Sequence, residues 1–126
     1  MTAQAVLLVS LLLVAHYLGD FSPLASARMQ SAKAGNGSQI WILAHAGVHA
    51  ALVLAAVAVV SRSPSLLLAA AGIEFGTHLF LDVTKMRLSR RSVALRDPTR
   101  APFWYLHGFD QLIHGLVLVW IAALVL

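Results

Sequence analysis

Four pairs of side chains able to hold a metal ion or relay a proton recur in this sequence at one spacing. They are His16/Asp20, His45/His49, His78/Asp82 and Asp110/His114. Residues four apart stand one above the other on a helix face, so a helical setting presents each pair as a vertical couple. Imidazole and carboxylate without sulfur form a donor set suited to Zn, Mn, Fe or Ni rather than Cu(I). Five histidines and three aspartates exceed the needs of one tetrahedral zinc site and suffice for two ions. The expectation is one or two divalent transition-metal ions per chain, zinc first, with manganese or iron as alternatives. The chain has no cysteine, which excludes disulfides, thiolate metal sites and a cysteine nucleophile.

The elements that carry these pairs are membrane spans. Of 126 residues 60% are apolar and 11% charged, and the mean hydropathy is +0.82. A soluble domain carries about 25% charged residues, and a chain of this length lacks the interior volume to hide so much apolar surface. Disorder is excluded, since it needs the opposite composition. A spanning helix takes about 20 mostly apolar residues. Four segments qualify, at about 3–21, 39–60, 65–84 and 103–126. The expected fold is therefore all-α: one domain over 1–126, a polytopic four-helix transmembrane bundle with an intramembrane His/Asp layer. Between the spans lie a polar stretch ending in Gly35-Asn36-Gly37-Ser38, a short turn at 61–64 that makes a tight hairpin, and a basic segment at 85–102 with Pro102 suited to a helix start.

Charge gives the orientation. The first and third connections hold Arg28, Lys33, Lys85, Arg87, Arg90, Arg91, Arg96 and Arg100, whereas the second holds only Arg62. The positive-inside rule puts loops 22–38 and 85–102 in the cytoplasm and both termini outside. The first span lacks a basic n-region and runs into His16 and Asp20 rather than a small-residue cleavage site, so it reads as a span and not as a signal peptide.

With that topology, at 1.5 Å rise per residue, all four pairs fall in one layer roughly 5–15 Å inside the cytoplasmic boundary. Ionisable groups in a span cost about 2.5–3.5 kcal/mol each on insertion scales. They must face the bundle interior and be hydrogen-bonded, paired or metal-bound. A single histidine in a span is commonly a hydrogen bond to its neighbour helix. Four pairs in one layer point instead to a functional polar centre, with a metal favoured over a metal-free proton relay. Bundles with inward His and carboxylate pairs are an established way to build metal sites.

Around the pairs stand accessory groups. Glu74, one turn deeper than His78 on the same face, reads as a ligand, a general base or a partner orienting His78. Lys85, three beyond Asp82, either snorkels at the mouth or binds an anionic substrate. Glu74 and Lys85 are accordingly the candidate catalytic residues. His107 reads as interfacial, and Gln111 as a cross-bundle hydrogen-bond former. Ala44, Gly47, Ala50, Gly72 and Gly76 are read as the small residues through which the second and third spans approach closely. The tryptophans suit interfacial belts, and the basic loop suits anionic lipid headgroups. Nucleic acid is not an expected partner, and a homo-oligomer stays open.

LLVAHYLGDF, AHAGVHA, EFGTHLFLDVTK and FDQLIH, in this order over nearly the whole chain, resemble the domain-of-unknown-function 3307 family of small bacterial and phage-associated integral-membrane proteins. The ordered set HxxGDF, HxxxH, HxxxDxxK and DQxxH is specific, although each piece alone is weak. The resemblance implies a bacterial inner (plasma) membrane and a shared polar set comprising the four pairs and Lys85. It brings no activity with it. One departure follows Asp20-Phe21, where a glutamine-containing stretch usually comes closely; here the nearest glutamine is Gln30.

Several functions fit these residues. A metal-dependent membrane hydrolase would act on a lipid or phosphate-bearing substrate received by Lys85, Arg87, Arg90 and Arg91. A metal-ion or proton transporter or sensor would need a polar route through the outer half of the bundle, where the spans are nearly free of polar groups. Haem is disfavoured by the aspartates among the histidines. A non-catalytic partner subunit would use the polar layer only to fix helix register. The charge count predicts that a reporter fused to the C-terminus signals from outside the cytoplasm; a cytoplasmic signal would invert the orientation.

Overall fold

The computed structural model describes residues 2–126. Four helices are long and apolar enough to cross a membrane: α1 (Ala3–Phe21), α3 (Ile40–Val60), α4 (Pro64–Arg90) and α5 (Ala101–Val125). A short helix, α2 (Ala27–Lys33), lies in the connection after α1, and a 3-10 turn at Val93–Leu95 precedes α5. Among the described residues there is no strand. The spanning helices pack in the cyclic order α1, α3, α4, α5 and close back on α1, with the α3–α4 hairpin the most extensive pair.

Local sequence accounts for the ends. Thr2 caps α1 by accepting from the amide of Ala5 at 3.2 Å, supplying one of the partners that a helix start lacks. Ser63 precedes Pro64, and Pro102 sits in the first turn of α5, where a missing N–H costs nothing. The third span extends beyond the expected 65–84 and continues to Arg90. Met86 and Ser89 are buried in that extra length, so it emerges from the bundle as packed helix rather than as loop.

The polar stretch 22–38, expected to be a connection without helix, contains α2. Ser26 starts it, accepting from the amide of Met29 at 3.3 Å. Gly35 stops it with a φ of +89°. The amides of Gly35 and Asn36 return to the carbonyls of Ala32 and Ser31, both at 2.9 Å, the double closure of a helix end that needs a left-handed residue. Ala32 then packs with Ile42 and Met86, Arg28 lies over the Trp41 ring at 5.3 Å, and Arg90 donates to the Gly35 carbonyl at 2.7 Å. α2 is thereby held against α3 and α4.

The bundle has two halves of different character. Away from α2, Leu8, Leu12, Val53, Val57, Leu118 and Ile121 form a closed apolar core. Toward α2, the interior is the layer of His, Asp and Glu. The outer surface is apolar, with Leu13, Val14, Phe80, Phe109, Leu112 and Leu116 exposed, as a lipid-facing surface requires. One packing expectation is corrected. Gly72 and Gly76 are exposed, and a methyl at either, or at Gly47, would meet nothing within 4 Å. α3 and α4 meet instead through Ile42, His45, His49 and Val53 on one side and Ala70, His78 and Met86 on the other, all buried.

Gly35→Ala places a side chain in the left-handed region, at a cost of about 1–2 kcal/mol, and presses its Cβ to 2.9 Å from Arg90. The expected result is faster tryptic cleavage after Arg28 and Lys33 with unchanged thermal unfolding of the spans. Unaltered cleavage would show that this turn does not hold α2.

Candidate metal centre

All four sequence pairs and Glu74 are buried, and they converge on one chamber of the bundle. His45 and His78 are fully enclosed, and His49, Glu74 and Asp82 nearly so. The imidazoles of His49 and His78 stack with centroids 3.7 Å apart, and His114 lies 4.2 Å from His78 on the other side. His78, from α4, is the hub. It belongs to each of three sets whose donor atoms lie within 4.8 Å of one another: His16, His49, Glu74 and His78; Asp20, His45, His49 and His78; and His78, Asp82 and His114.

The hydrogen bonds select which nitrogens face this centre. His78 Nδ1 lies 3.1 Å from Glu74 Oε1, so an ionised Glu74 accepts a hydrogen bond from Nδ1–H and leaves the Nε2 lone pair free. A carboxylate behind an imidazole is the usual support of a metal-ligating histidine. His16 Nε2 lies 3.1 Å from the Gln111 side-chain oxygen and donates to it; the Gln111 amide in turn donates to Asp20 Oδ2 at 3.1 Å. His16 thus keeps a free lone pair on Nδ1. Among the described residues, the buried side-chain atoms left without a hydrogen-bond partner are His16 Nδ1, His45 Nδ1, His49 Nε2, His78 Nε2, His114 Nε2 and both carboxylate oxygens of Asp82. Unpartnered buried polar groups are rare and costly. A cation coordinated by neutral imidazoles and a carboxylate satisfies this donor set, so the residues fit a metal ion.

Asp110 stands apart from these sets. Its Oδ2 accepts from Lys85 Nζ at 2.7 Å, and Lys85 also lies 3.2 Å from His107 Nδ1. Lys85 is therefore an ion-pair partner inside the layer rather than a snorkelling surface group, and His107 is drawn in beside it. Glu74 lies toward the apolar half and bonds His78. Gln111 makes the cross-bundle bonds expected of it.

Sequence reasoning missed Lys33, which it counted only as a topology charge. Lys33 reaches from α2 into the layer, with Nζ 2.8 Å from Asp20 Oδ1, 3.0 Å from His45 Nε2 and 3.5 Å from Asp82 Oδ1. Burial disfavours its charge, but the Asp82 and Asp20 carboxylates outweigh that and hold its pKa above the ordinary lysine value. Gln30, three residues earlier on α2, donates to the Asp20 carbonyl at 3.0 Å. Both could have been found from the Ser26 start and Gly35 stop, which make 27–33 a helix and put Gln30 and Lys33 on one face.

Next to the layer is a cavity of about 750 Å³. Asp20 and Gln111 form its inner wall, Lys33, Lys85, Arg96 and His107 line its sides, and Phe21, Leu95 and Phe103 contribute apolar surface. Val93 and Arg96 at its rim are exposed. Arg87, Arg90 and Arg91 do not line it.

The sequence matches the family described as Protein of unknown function (DUF3307) over residues 7–126, and the chain belongs to that family. Comparison with curated proteins and with solved structures gives no match.

The His49 ring lies tight against α1 at Gly19, where an added Cβ would lie 2.4 Å from it. Gly19→Ala must displace that ring and is expected to destabilise the protein by about 1–3 kcal/mol. Gly47→Ala, with open space around it, should be neutral or slightly stabilising through helix propensity. Thermal unfolding of the two variants in detergent checks this; equal midpoints would refute the close approach.

Proposed function

We propose that this DUF3307 chain holds a divalent transition-metal ion in its His/Asp layer and is a metal-dependent hydrolase of a lipid or phosphate-bearing substrate. A balance of buried charge carries the metal reading. The chain has five acidic residues, and four of them, Asp20, Glu74, Asp82 and Asp110, lie in the layer against two ammonium groups, Lys33 and Lys85. With all four carboxylates ionised and the imidazoles neutral, the excess is 4 − 2 = 2 negative charges, the charge of one divalent cation. Buried charges persist only when paired or coordinating. Zinc suits the donors best, with manganese and iron as alternatives.

The cavity supports hydrolysis. It joins the layer at Asp20 and brings basic groups and apolar walls together, as an anionic headgroup with an attached chain requires. A bound ion would supply Lewis acidity to a phosphoryl or acyl oxygen and acidify water. Asp20 is the carboxylate of the buried layer that borders the cavity, which makes it the candidate to accept a proton from water there. Glu74 does not line it, so its part is to hold His78 through Nδ1 rather than to act as the base. Arg96 and Lys85 orient the anion. On the orientation argued from charge, the cavity faces the cytoplasmic leaflet. The closed apolar core in the other half of the bundle leaves no polar route across and weighs against transport.

Protein purified in mild detergent should carry stoichiometric divalent metal by elemental analysis, lost in His78→Ala because His78 joins all three donor sets. Metal-loaded protein should release inorganic phosphate from phosphatidic acid in mixed micelles, and chelation should stop the release. Metal without turnover of phosphate or acyl substrates would remove the hydrolase reading. Absence of metal would remove the centre itself.

A further inference from the structure

We propose that the Lys33 ammonium is the resident second cation of this centre: it fills a position shaped for a second metal ion and so limits the layer to a single ion. The inference rests on the metal reading above and extends it to stoichiometry and to the wall of the cavity.

Three observations carry it. Lys33 Nζ is surrounded at ligand-like range by Asp20 Oδ1, His45 Nε2 and Asp82 Oδ1, at 2.8, 3.0 and 3.5 Å. Asp20 and His45 are two of the four members of a candidate metal set, and Asp82 belongs to another. The ammonium therefore stands among donors that would otherwise hold an ion. The protein also makes a specific arrangement to put it there. α2 is capped at both ends, packed on Ile42 and Met86, and tied to α4 through Arg90, and Gln30 on the same face bonds the Asp20 carbonyl. Finally, Lys33 lines the cavity together with Asp20.

Charge makes the two occupants exclusive. Lys33, Lys85 and one divalent ion neutralise the four carboxylates. A second divalent ion beside Lys33 would leave the layer two charges positive inside an apolar bundle, which the desolvation cost forbids. In two-metal hydrolytic sites the second ion stabilises the charge that develops on the reacting oxygens. Here an ammonium with three donors holds that place. It holds Asp20 in place and keeps a fixed positive charge beside the cavity that Lys33 lines, without the exchange and loss that a metal ion undergoes.

The experiment is metal titration of the wild-type chain and of Lys33→Met, which keeps an unbranched side chain and removes the charge. Wild type should saturate at one Mn²⁺ or Zn²⁺ per chain, and Lys33→Met should take up a second ion. Inorganic phosphate should bind wild type loaded with one Zn²⁺ at least ten-fold more tightly than Lys33→Met loaded with one. Wild type saturating at two ions, or Lys33→Met still saturating at one with the same affinity, would overturn the inference and leave the metal centre standing. Failure of both chains to bind metal would overturn the centre and the inference together. If Lys33→Met does not fold, electron paramagnetic resonance of wild type saturated with Mn²⁺ decides: an isolated-ion spectrum supports the inference, and a spin-coupled pair overturns it.

Discussion

The structure depends on one electrostatic constraint: carboxylates placed among apolar helices need cations at contact distance. Asp20, Glu74, Asp82 and Asp110 come from α1, α4 and α5, and no single helix can neutralise them. The contacts that do so cross between elements. Lys33 from α2 reaches Asp20, Lys85 from α4 reaches Asp110, and Gln111 from α5 links His16 to Asp20. Each fixes a distance between helices that apolar side chains alone, free to slide in a medium as apolar as themselves, would hold less strictly.

The rest of the bundle serves that arrangement. Leucine and valine around Leu12, Val53 and Leu118 give a rigid, dry base against which the imidazoles are stacked. Gly19 lets α1 come close enough for His49 to lie on its backbone. Glu74 sits at the boundary between the two halves and turns His78 so that one nitrogen faces the shared centre. At the opposite boundary the packing loosens into the cavity lined by Arg96 and Phe103. The centre is thus closed on one side and approachable on the other, as a site that works on a ligand requires.

Much of this was legible in the residues. The i, i+4 pairs and the four apolar runs identify the spans and the face each turns inward, because helical period and chain order are local properties. Gln111 as a cross-bundle donor was legible for the same reason. The place of Lys33 was harder to read, since a partner delivered from a segment outside the spans leaves no apolar period in the sequence; the Ser26 and Gly35 signals mark α2 and its Gln30/Lys33 face, but not what that face meets. The glycines misled in the opposite way. Small residues permit a close approach but do not require one, and Gly72 and Gly76 turn outward while Gly19, read only as part of a motif, carries the contact. Lys85 shows the limit of position alone: a residue at the mouth of a span could serve an outside anion or an inside aspartate, and Lys85 both pairs with Asp110 at 2.7 Å and lines the cavity.

The delivery of Lys33 on α2 makes neutralisation depend on how the spans stand together. Asp20 stands at the end of α1, and His45 and Asp82 stand on α3 and α4. The neutralising ammonium reaches them from α2, which is seated on Ile42 and Met86. The seat of α2 is therefore composite: it is built jointly by α3 and α4, and the ammonium it carries is available to the carboxylates only where those two helices stand side by side.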